Sequence, residues 1–221
     1  MAPPDSPPLF FPPVETASEE GLLDIGGDLS TERLLLAYRS GIYPCYGVGE
    51  PILWWSPNPR GIIPLNDPHI GKTLRKVLNR AKYEIKINSA FEETIEACSR
   101  KEWGDDRRWI TDEMIDAYIN LHRLGHAHSV ETWFEGELVG GLYGVAIGGL
   151  FAGESMFSKM DNSSKVAMVA LVERMNRLGY TLLDCQMVTE VTGQMGAIEI
   201  TRKEYMGRLN RAMEIEPLPF G

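Results

Sequence analysis

At 221 residues, with 43% hydrophobic and 24% charged side chains, the chain is long enough for one sizeable domain or two small ones, each with its own core. A formal net charge of -9 argues against a general nucleic-acid or membrane-surface binder, because those present broad basic faces; any nucleic-acid site must be local. Three cysteines, Cys45, Cys98 and Cys185, show neither CxxC nor metal-ligand spacing, which fits a reducing compartment without a disulfide framework.

The N-terminus, MAPPDSPPLFFPPVE, lacks the basic region of a signal peptide, and its prolines favour an extended arm over residues 1–13. A first helix is marked by Ser30 as N-cap, Glu32 in the first turn, an apolar face of Leu34, Leu35, Ala37 and Tyr38, and a stop at Gly41. The aromatic loop YPCYGVGEPILWWSPNPRG follows. Residues 60–100 alternate strand-like RGIIPL, helical GKTLRKVLNRA, strand-like YEIKI and helical AFEETIEACSR, a small mixed unit. After the charged KEWGDDRR, a helix from Thr111 gathers Met114, Ile115, Tyr118, Leu121 and His122 on one side and ends at Gly125.

From His128 the pattern changes. SVETWF, the tight EGE turn, LVGGLYGVAIGG and LFAGESMF read as an antiparallel hairpin and a third strand. A helix over Ser163 to Leu178, closed by Gly179, leads to the strand TLLDCQM and a last helical stretch, EYMGRLNRAM. The longest uncharged apolar run, between Glu137 and Glu154, is shorter than the roughly 20 residues that cross a bilayer, and a cytoplasmic protein is expected. The expected fold class is α+β, with a small mixed α/β unit over residues 14–105 and, over residues 106–221, a domain of acyltransferase type built on a mixed or antiparallel sheet.

Two carboxylates interrupt apolar surroundings in the second half. A buried ionised carboxylate without a partner costs several kcal/mol, of order 3 or more, so Glu154 and Asp184 mark a candidate site. In a strand Asp184 and Gln186 share a face; a carboxylate can hold a proton, whereas the glutamine amide can only donate, accept or position. The alternative readings are a strand-end Asp184 satisfied by backbone donors and a sheet-edge Glu154 paired with Lys159 or Lys165. Glycines 148, 149 and 153 would let a ligand or another backbone come close.

Met168, Leu171 and Met175 form one apolar helix face, with Leu142 and Phe151 available from the strands: either plain core or a wall that accepts a side chain of variable shape. Lys72, Arg75, Lys76, Arg80 and Lys82 form a local basic cluster, either a solvated face or a phosphate site. With Tyr43, Tyr46, Trp54, Trp55 and Trp109 nearby it has the charge and flat faces that a single-stranded nucleotide end requires, although core packing also explains the tryptophans. The glycine run lacks the strand-loop-helix context of a dinucleotide site and has no GK[ST] loop; His126 and His128 lack metal spacing. Neither metal nor cofactor is expected.

GLLDIGGDLSTERLLLAYRSGIYP, PILWWSPNPRG, WIT with AYINLHRLGHAHSVETW, LVGGLYGVAIGGLFAGESMFS and LLDCQ, in that order over roughly residues 10 to 210, resemble the bacterial leucyl/phenylalanyl-tRNA protein transferases. The resemblance implies a small N-terminal α/β domain followed by a GCN5-related acyltransferase-like domain. It also implies transfer of Leu or Phe, sometimes Met, from aminoacyl-tRNA to the N-terminal amine of proteins beginning with Arg or Lys, marking them for N-end-rule degradation. By the same resemblance Asp184 and Gln186 are the catalytic pair, and Glu154 and Trp109 lie near the aminoacyl end. Leu142, Phe151, Met168, Leu171 and Met175 line the side-chain pocket, while Lys72, Arg75, Lys76 and Arg80 meet the tRNA acceptor stem. The expected mechanism has Gln186, oriented by Asp184, hold the attacking amine while Asp184 steadies the ammonium and Glu154 holds the aminoacyl amine. The chain departs from the family pattern at Cys45, where relatives usually have Trp, and at Val191 and Gln194, where many have His and Ser. Two other readings are an acetyl-CoA-dependent N-acyltransferase, disfavoured because DNSSKVAM offers no glycine loop, and a catalytically silent tRNA or peptide-binding module.

Overall fold

Local capping fixes where several helices begin. A computed structural model describes residues 9–66, 69–100 and 109–221. After strand β1 (Leu22–Ile25), the Ser30 hydroxyl accepts the Arg33 N–H and starts helix α1 (Thr31–Arg39). Strands β2 (Tyr43–Pro44) and β3 (Leu53–Trp55) complete a three-stranded sheet in the order β1-β3-β2. Then come β4 (Arg60–Ile63), α2 (Lys72–Asn79), β5 (Glu84–Ile87), α3 (Phe91–Ser99) and α4 (Asp112–Arg123), the last capped by Thr111 through the Met114 N–H.

The second half runs β6 (Ala127–Phe134), β7 (Glu137–Ile147), β8 (Leu150–Ser158), α5 (Ser163–Leu178), β9 (Leu182–Gln186), α6 (Glu190–Gln194), β10 (Ile198–Ile200) and α7 (Arg202–Met213). The hairpin, the third strand and the helix bounds at Ser163 and Leu178 match the sequence pattern, and Gly179 closes α5 with a left-handed φ of 88°.

These strands form one seven-stranded sheet, ordered β10-β4-β9-β8-β7-β6-β5. Every neighbouring pair is antiparallel except β8 and β9, which run parallel because α5 crosses over between them. β4 and β5, which the sequence pattern groups with the first domain, are strands of this large sheet. The described part of the N-terminal arm packs: Phe11 is buried edge-on against Trp54 at 4.8 Å. Residues 1–8 of that arm and the charged stretch 101–108 lie outside the described residues.

Two cores flank the sheet. Leu34, Ile95, Tyr118, Leu121, Tyr143, Leu150 and Leu209 pack on the side of α1, α3, α4 and α7. Leu74, Leu142, Phe151, Met168, Leu171 and Met175 pack on the side of α2 and α5. No helix among the described residues is long and apolar enough to cross a membrane.

The glycine-rich strands serve close backbone approach within the fold. A Cβ on Gly144 would overlap the Ala152 carbonyl oxygen of β8, and one on Gly148 would stand 2.8 Å from the Ala212 carbonyl at the end of α7. Gly144→Ala is therefore expected to lower stability by about 2 kcal/mol or more, since overpacking against backbone has no flexible side chain to absorb it. Urea denaturation measures this, and an unchanged midpoint would show that β7 and β8 can part there without cost.

Candidate active site

Two irregularities place the site where the parallel strands separate. β7 pairs Tyr143 with Ser155 and Gly144 with Gly153, leaving Glu154 as the extra residue of a bulge that re-aims its side chain. Pairing between β8 and β9 ends at Ala152 and Asp184, while β4 pairs Ile62 with Asp184 and Gly61 with Gln186, so Cys185 is the extra residue on β9. The two strands diverge beyond Ala152 and Asp184, at the carboxyl end of the one parallel pair, where α/β sheets open a crevice.

Asp184 is 1% exposed and fully engaged. Arg60 of β4 forks onto it, Nε donating to Oδ1 at 2.9 Å and Nη2 to Oδ2 at 2.6 Å. The Tyr205 hydroxyl of α7 donates to Oδ2 at 2.8 Å, and the Gln186 backbone N–H donates to Oδ1 at 2.8 Å. Arg60 itself lies between the rings of Tyr43, 4.7 Å from its centroid, and Tyr205, at 4.5 Å, and its Nη1 donates to the Gly41 carbonyl. Burial works against the Arg60 charge, but the Asp184 carboxylate outweighs it and holds the guanidinium protonated.

Glu154 has a different environment. It is 7% exposed, and among the described residues it has no ion-pair partner. The lysines that the alternative reading assigned to it go elsewhere: Lys165 donates to Gln194 Oε1, and Lys159 lies over the Phe157 ring. Glu154 Oε2 accepts from the Tyr118 hydroxyl at 3.3 Å, and Tyr118 is hydrogen-bonded in turn to Tyr38. Glu154 Oε1 accepts from Gln186 Nε2 at 3.0 Å. Burial pushes the carboxyl up to about 8; hydrogen bonds from Tyr38 and Tyr118 pull it down and the Asp184 charge pushes it further up. Burial also raises both phenols well above their ordinary value, so they stay protonated and available as donors.

Gln186 links the two carboxylates. The strand alternation that puts it on the face of Asp184 breaks down here, because Gln186 adopts a left-handed φ of 64°. Its backbone is tied to Asp184 and its Nε2 to Glu154, leaving the side-chain carbonyl oxygen without a partner among the described residues.

The other residues singled out by sequence occupy separate places. Leu142, Phe151, Met168, Leu171 and Met175 do meet, as one buried cluster between the sheet and α5, with the half-buried Met156 of β8 against it. Trp109 is half-buried against the opposite core. Lys72, Arg75, Lys76 and Arg80 are exposed on or beside α2, whose Leu74 is buried against the α5 core. The aromatic loop is less available than its composition indicates: Tyr43, Tyr46 and Trp54 are buried, Trp54 Nε1 donates to the Gly26 carbonyl, and Trp55 Nε1 donates to the Cys45 carbonyl. Beyond Glu154, β8 forms one wall of a cleft of about 910 Å³ whose lining includes Trp133, Leu138, Met156, Phe157 and Val191.

Sequence reasoning missed Arg60, Tyr205, Tyr38 and Tyr118. The tyrosines sat in stretches scored only for apolar spacing, yet a tyrosine that is to be buried also needs a partner for its hydroxyl, and that was the available signal.

A buried polar cluster where two strands diverge, beside a cleft of ligand size, makes a candidate substrate-binding site on an α+β scaffold. Two family models match the chain in order: leucyl/phenylalanyl-tRNA protein transferase N-terminal domain over residues 27–58 and leucyl/phenylalanyl-tRNA protein transferase over residues 62–210. The leucyl/phenylalanyl-tRNA–protein transferase of Syntrophotalea carbinolica is 50% identical over 205 residues, covering 92% of this chain and 89% of that protein. That of Flavobacterium johnsoniae is 49% identical over 202 residues, covering 91% and 95%. Among solved structures, L-PGS from Bacillus licheniformis aligns with a TM-score of 0.45 at 13% identity, over 85% of this chain and 71% of that one. The chain belongs to the leucyl/phenylalanyl-tRNA protein transferase family.

The raised Glu154 carboxyl has a thermodynamic consequence. Folded, it keeps its proton up to about pH 8; unfolded, it loses it near the ordinary value of 4.5. Between these values unfolding releases a proton, so this group lowers stability as pH rises across the window and adds no further slope above it. Denaturation curves taken from pH 5 to pH 8 should show Glu154→Gln gaining steadily on the unaltered protein. Parallel pH slopes for the two proteins would mean that the folded carboxyl is already ionised.

Proposed function

We propose that this chain moves the Leu or Phe group of an aminoacyl-tRNA, and in some cases Met, to the N-terminal amine of a protein beginning with Arg or Lys. The reaction belongs in the cytoplasm, where charged tRNA is found, and the product carries a new N-terminal residue that directs it to N-end-rule degradation. Family membership supports the reading, and the observation that carries it is the Gln186 amide, pinned at backbone and Nε2 with its carbonyl oxygen left to receive a substrate N–H.

The donor is an ester, already activated. The acceptor amine attacks the carbonyl carbon, a C–N bond forms, the bond to the terminal ribose oxygen breaks, and the amine's proton is replaced on that oxygen. An α-amine has a pKa of about 7.7 to 8.0 and is partly neutral near pH 7, so orienting its lone pair is the main requirement. Gln186 Oε1 accepts a hydrogen bond from the amine and aims it. Asp184 acts through Gln186: Arg60, Tyr205 and the Gln186 N–H occupy its oxygens, and it steadies no ammonium directly.

Glu154 receives the amine of the donor's aminoacyl group. A buried carboxyl without a cation partner keeps its proton until an amine arrives; it then gives that proton up, to a neutral amine or to solvent, and pairs as a carboxylate with the ammonium. The donor's apolar side chain enters past Met156 toward Leu142, Phe151, Met168, Leu171 and Met175, where the flexible methionines can re-pack around it. Trp109 offers a flat face to the terminal nucleoside, and Lys72, Arg75, Lys76 and Arg80 meet phosphates of the acceptor stem.

Radiolabelled Leu-tRNA or Phe-tRNA mixed with a peptide beginning with Arg should yield labelled peptide, and RNase treatment of the donor should abolish it. Transfer from acetyl-CoA instead would establish the N-acyltransferase reading. Gln186→Ala should slow transfer on the order of 100-fold or more while donor binding persists; equal loss of both would make Gln186 structural. Reversing the charges of Arg75 and Lys76 should weaken donor binding and reduce its salt dependence, by a slope of about 0.9 per lost duplex phosphate contact. An unchanged slope takes the tRNA role away from α2.

A further inference from the structure

We infer that Arg60 is a positioning residue for transfer: clamped between Tyr43 and Tyr205, it holds Asp184 where Asp184 can pin the backbone of Gln186. The inference rests on the reading of Gln186 as the group that meets the attacking amine.

The argument begins with Gln186. A non-glycine residue in the left-handed region is disfavoured, and it persists only where its surroundings impose it. Two bonds brace it here: its own N–H donates to Asp184 Oδ1 at 2.8 Å, and the Met187 N–H donates across it to the Cys185 carbonyl at 2.6 Å. The turn also swings the side chain so that Nε2 reaches Glu154, and an amide fixed at its nitrogen presents its oxygen. If Asp184 turned away, Gln186 would relax toward extended geometry, and the carbonyl oxygen would leave the crevice.

Asp184 is prevented from turning by Arg60. The guanidinium fork meets both carboxylate oxygens and fixes the plane of the carboxylate as well as its distance. The fork is itself fixed by the two flanking rings and by the Gly41 carbonyl. Lysine has the charge but neither the plane nor the stacking faces, so the geometry needs arginine. Stability alone is a poor reason for this arrangement, because well-packed apolar residues often match or exceed a buried ion pair. The clamp also joins the segment carrying Tyr43 and Cys45 to β9, so the first sheet and the transfer site keep one registry.

The test is a double-mutant cycle read in kcat and donor KM, with a thermal melt of each protein. Arg60→Lys should lower kcat by about 10- to 100-fold, the range for losing hydrogen bonds to a charged group, and leave donor KM within about threefold. In the Gln186→Ala background the same change should cost less than about threefold, because the residue it positions is already gone. Conversely, equal losses of kcat in both backgrounds, or a loss confined to donor KM, would overturn the role. If Arg60→Lys does not fold, Tyr205→Phe decides: it deletes one hydroxyl bond to Asp184, keeps the ring over Arg60, and should show the same non-additivity. Full additivity there, or no loss of kcat at all, overturns the role. Absence of transfer by the unaltered protein would overturn the transferase reading and this role with it; transfer with additive losses overturns this role alone.

Discussion

The ion pair between Arg60 and Asp184 joins residues 124 positions apart, and much of the site depends on it. Removing two charges from water costs several kcal/mol per ion even after relaxation, and only near-ideal geometry with every remaining donor and acceptor satisfied offsets that. Those conditions are met by four segments at once: β4 supplies the guanidinium, β9 the carboxylate, α7 the Tyr205 hydroxyl and ring, and the stretch before β2 the Gly41 carbonyl. A displacement of any one leaves a buried polar group unpaired, so the pair enforces a common registry on the small sheet, the large sheet and the last helix.

That registry gives the two carboxylates of the site opposite characters. Asp184 meets a cation, and both of its oxygens are occupied. Glu154, one strand away on the bulge of β8, meets phenols and an amide, and burial raises it to about 8. The contrast lies in their partners: the oxygens of Asp184 are taken by Arg60, Tyr205 and the Gln186 N–H, whereas Glu154 has no cation partner among the described residues. The bulge makes this possible, since without an extra residue Glu154 could not leave the alternation that otherwise sends β8 side chains to one core or the other.

Burial of a carboxylate does not by itself mark a site, and Glu131 shows why. It is 0% exposed on β6, yet it accepts from the Ser129 hydroxyl and from the Ser89 and Ala90 amides at the start of α3. It therefore serves as a cap supplied from a distant strand, and α3 has no side-chain cap of its own. The sequence displays Glu131 inside SVETWF much as it displays Glu154 inside FAGESMF. Local signals were legible: caps at Ser30 and Thr111, the closing Gly179, the hairpin alternation and the two interrupting carboxylates are all written within a few residues. Partners were not, because periodicity carries no information on which distant residue answers a buried charge. By sequence Arg60 is where the aromatic loop passes into the strand-like RGIIPL, Tyr205 is a helix residue, and Tyr43 and Tyr46 are exposed aromatics beside a basic cluster. The same limit hid the joining of β4 and β5 to the large sheet.

Cys45, Val191 and Gln194, the three positions at which the sequence reads as unlike the pattern it resembles, lie around this scaffold rather than in it. Cys45 is half-buried within the field of Glu154, and burial, with Glu154 second, pushes its thiol up to about 11, so it stays a neutral, weakly polar side chain. Val191 gives the cleft beside β8 an apolar wall at the first turn of α6. Gln194, at the other end of α6, accepts from Lys165 on α5 and donates to Glu190, so it spends its hydrogen bonds holding α6 in place. Among the described residues, the side chains of these three make no hydrogen bond to Arg60, Asp184 or Tyr205. The buried ion pair and the two tyrosines that enclose it are thus held apart from these three positions, so a substitution at any of them leaves the pairing of Arg60 with Asp184 in place.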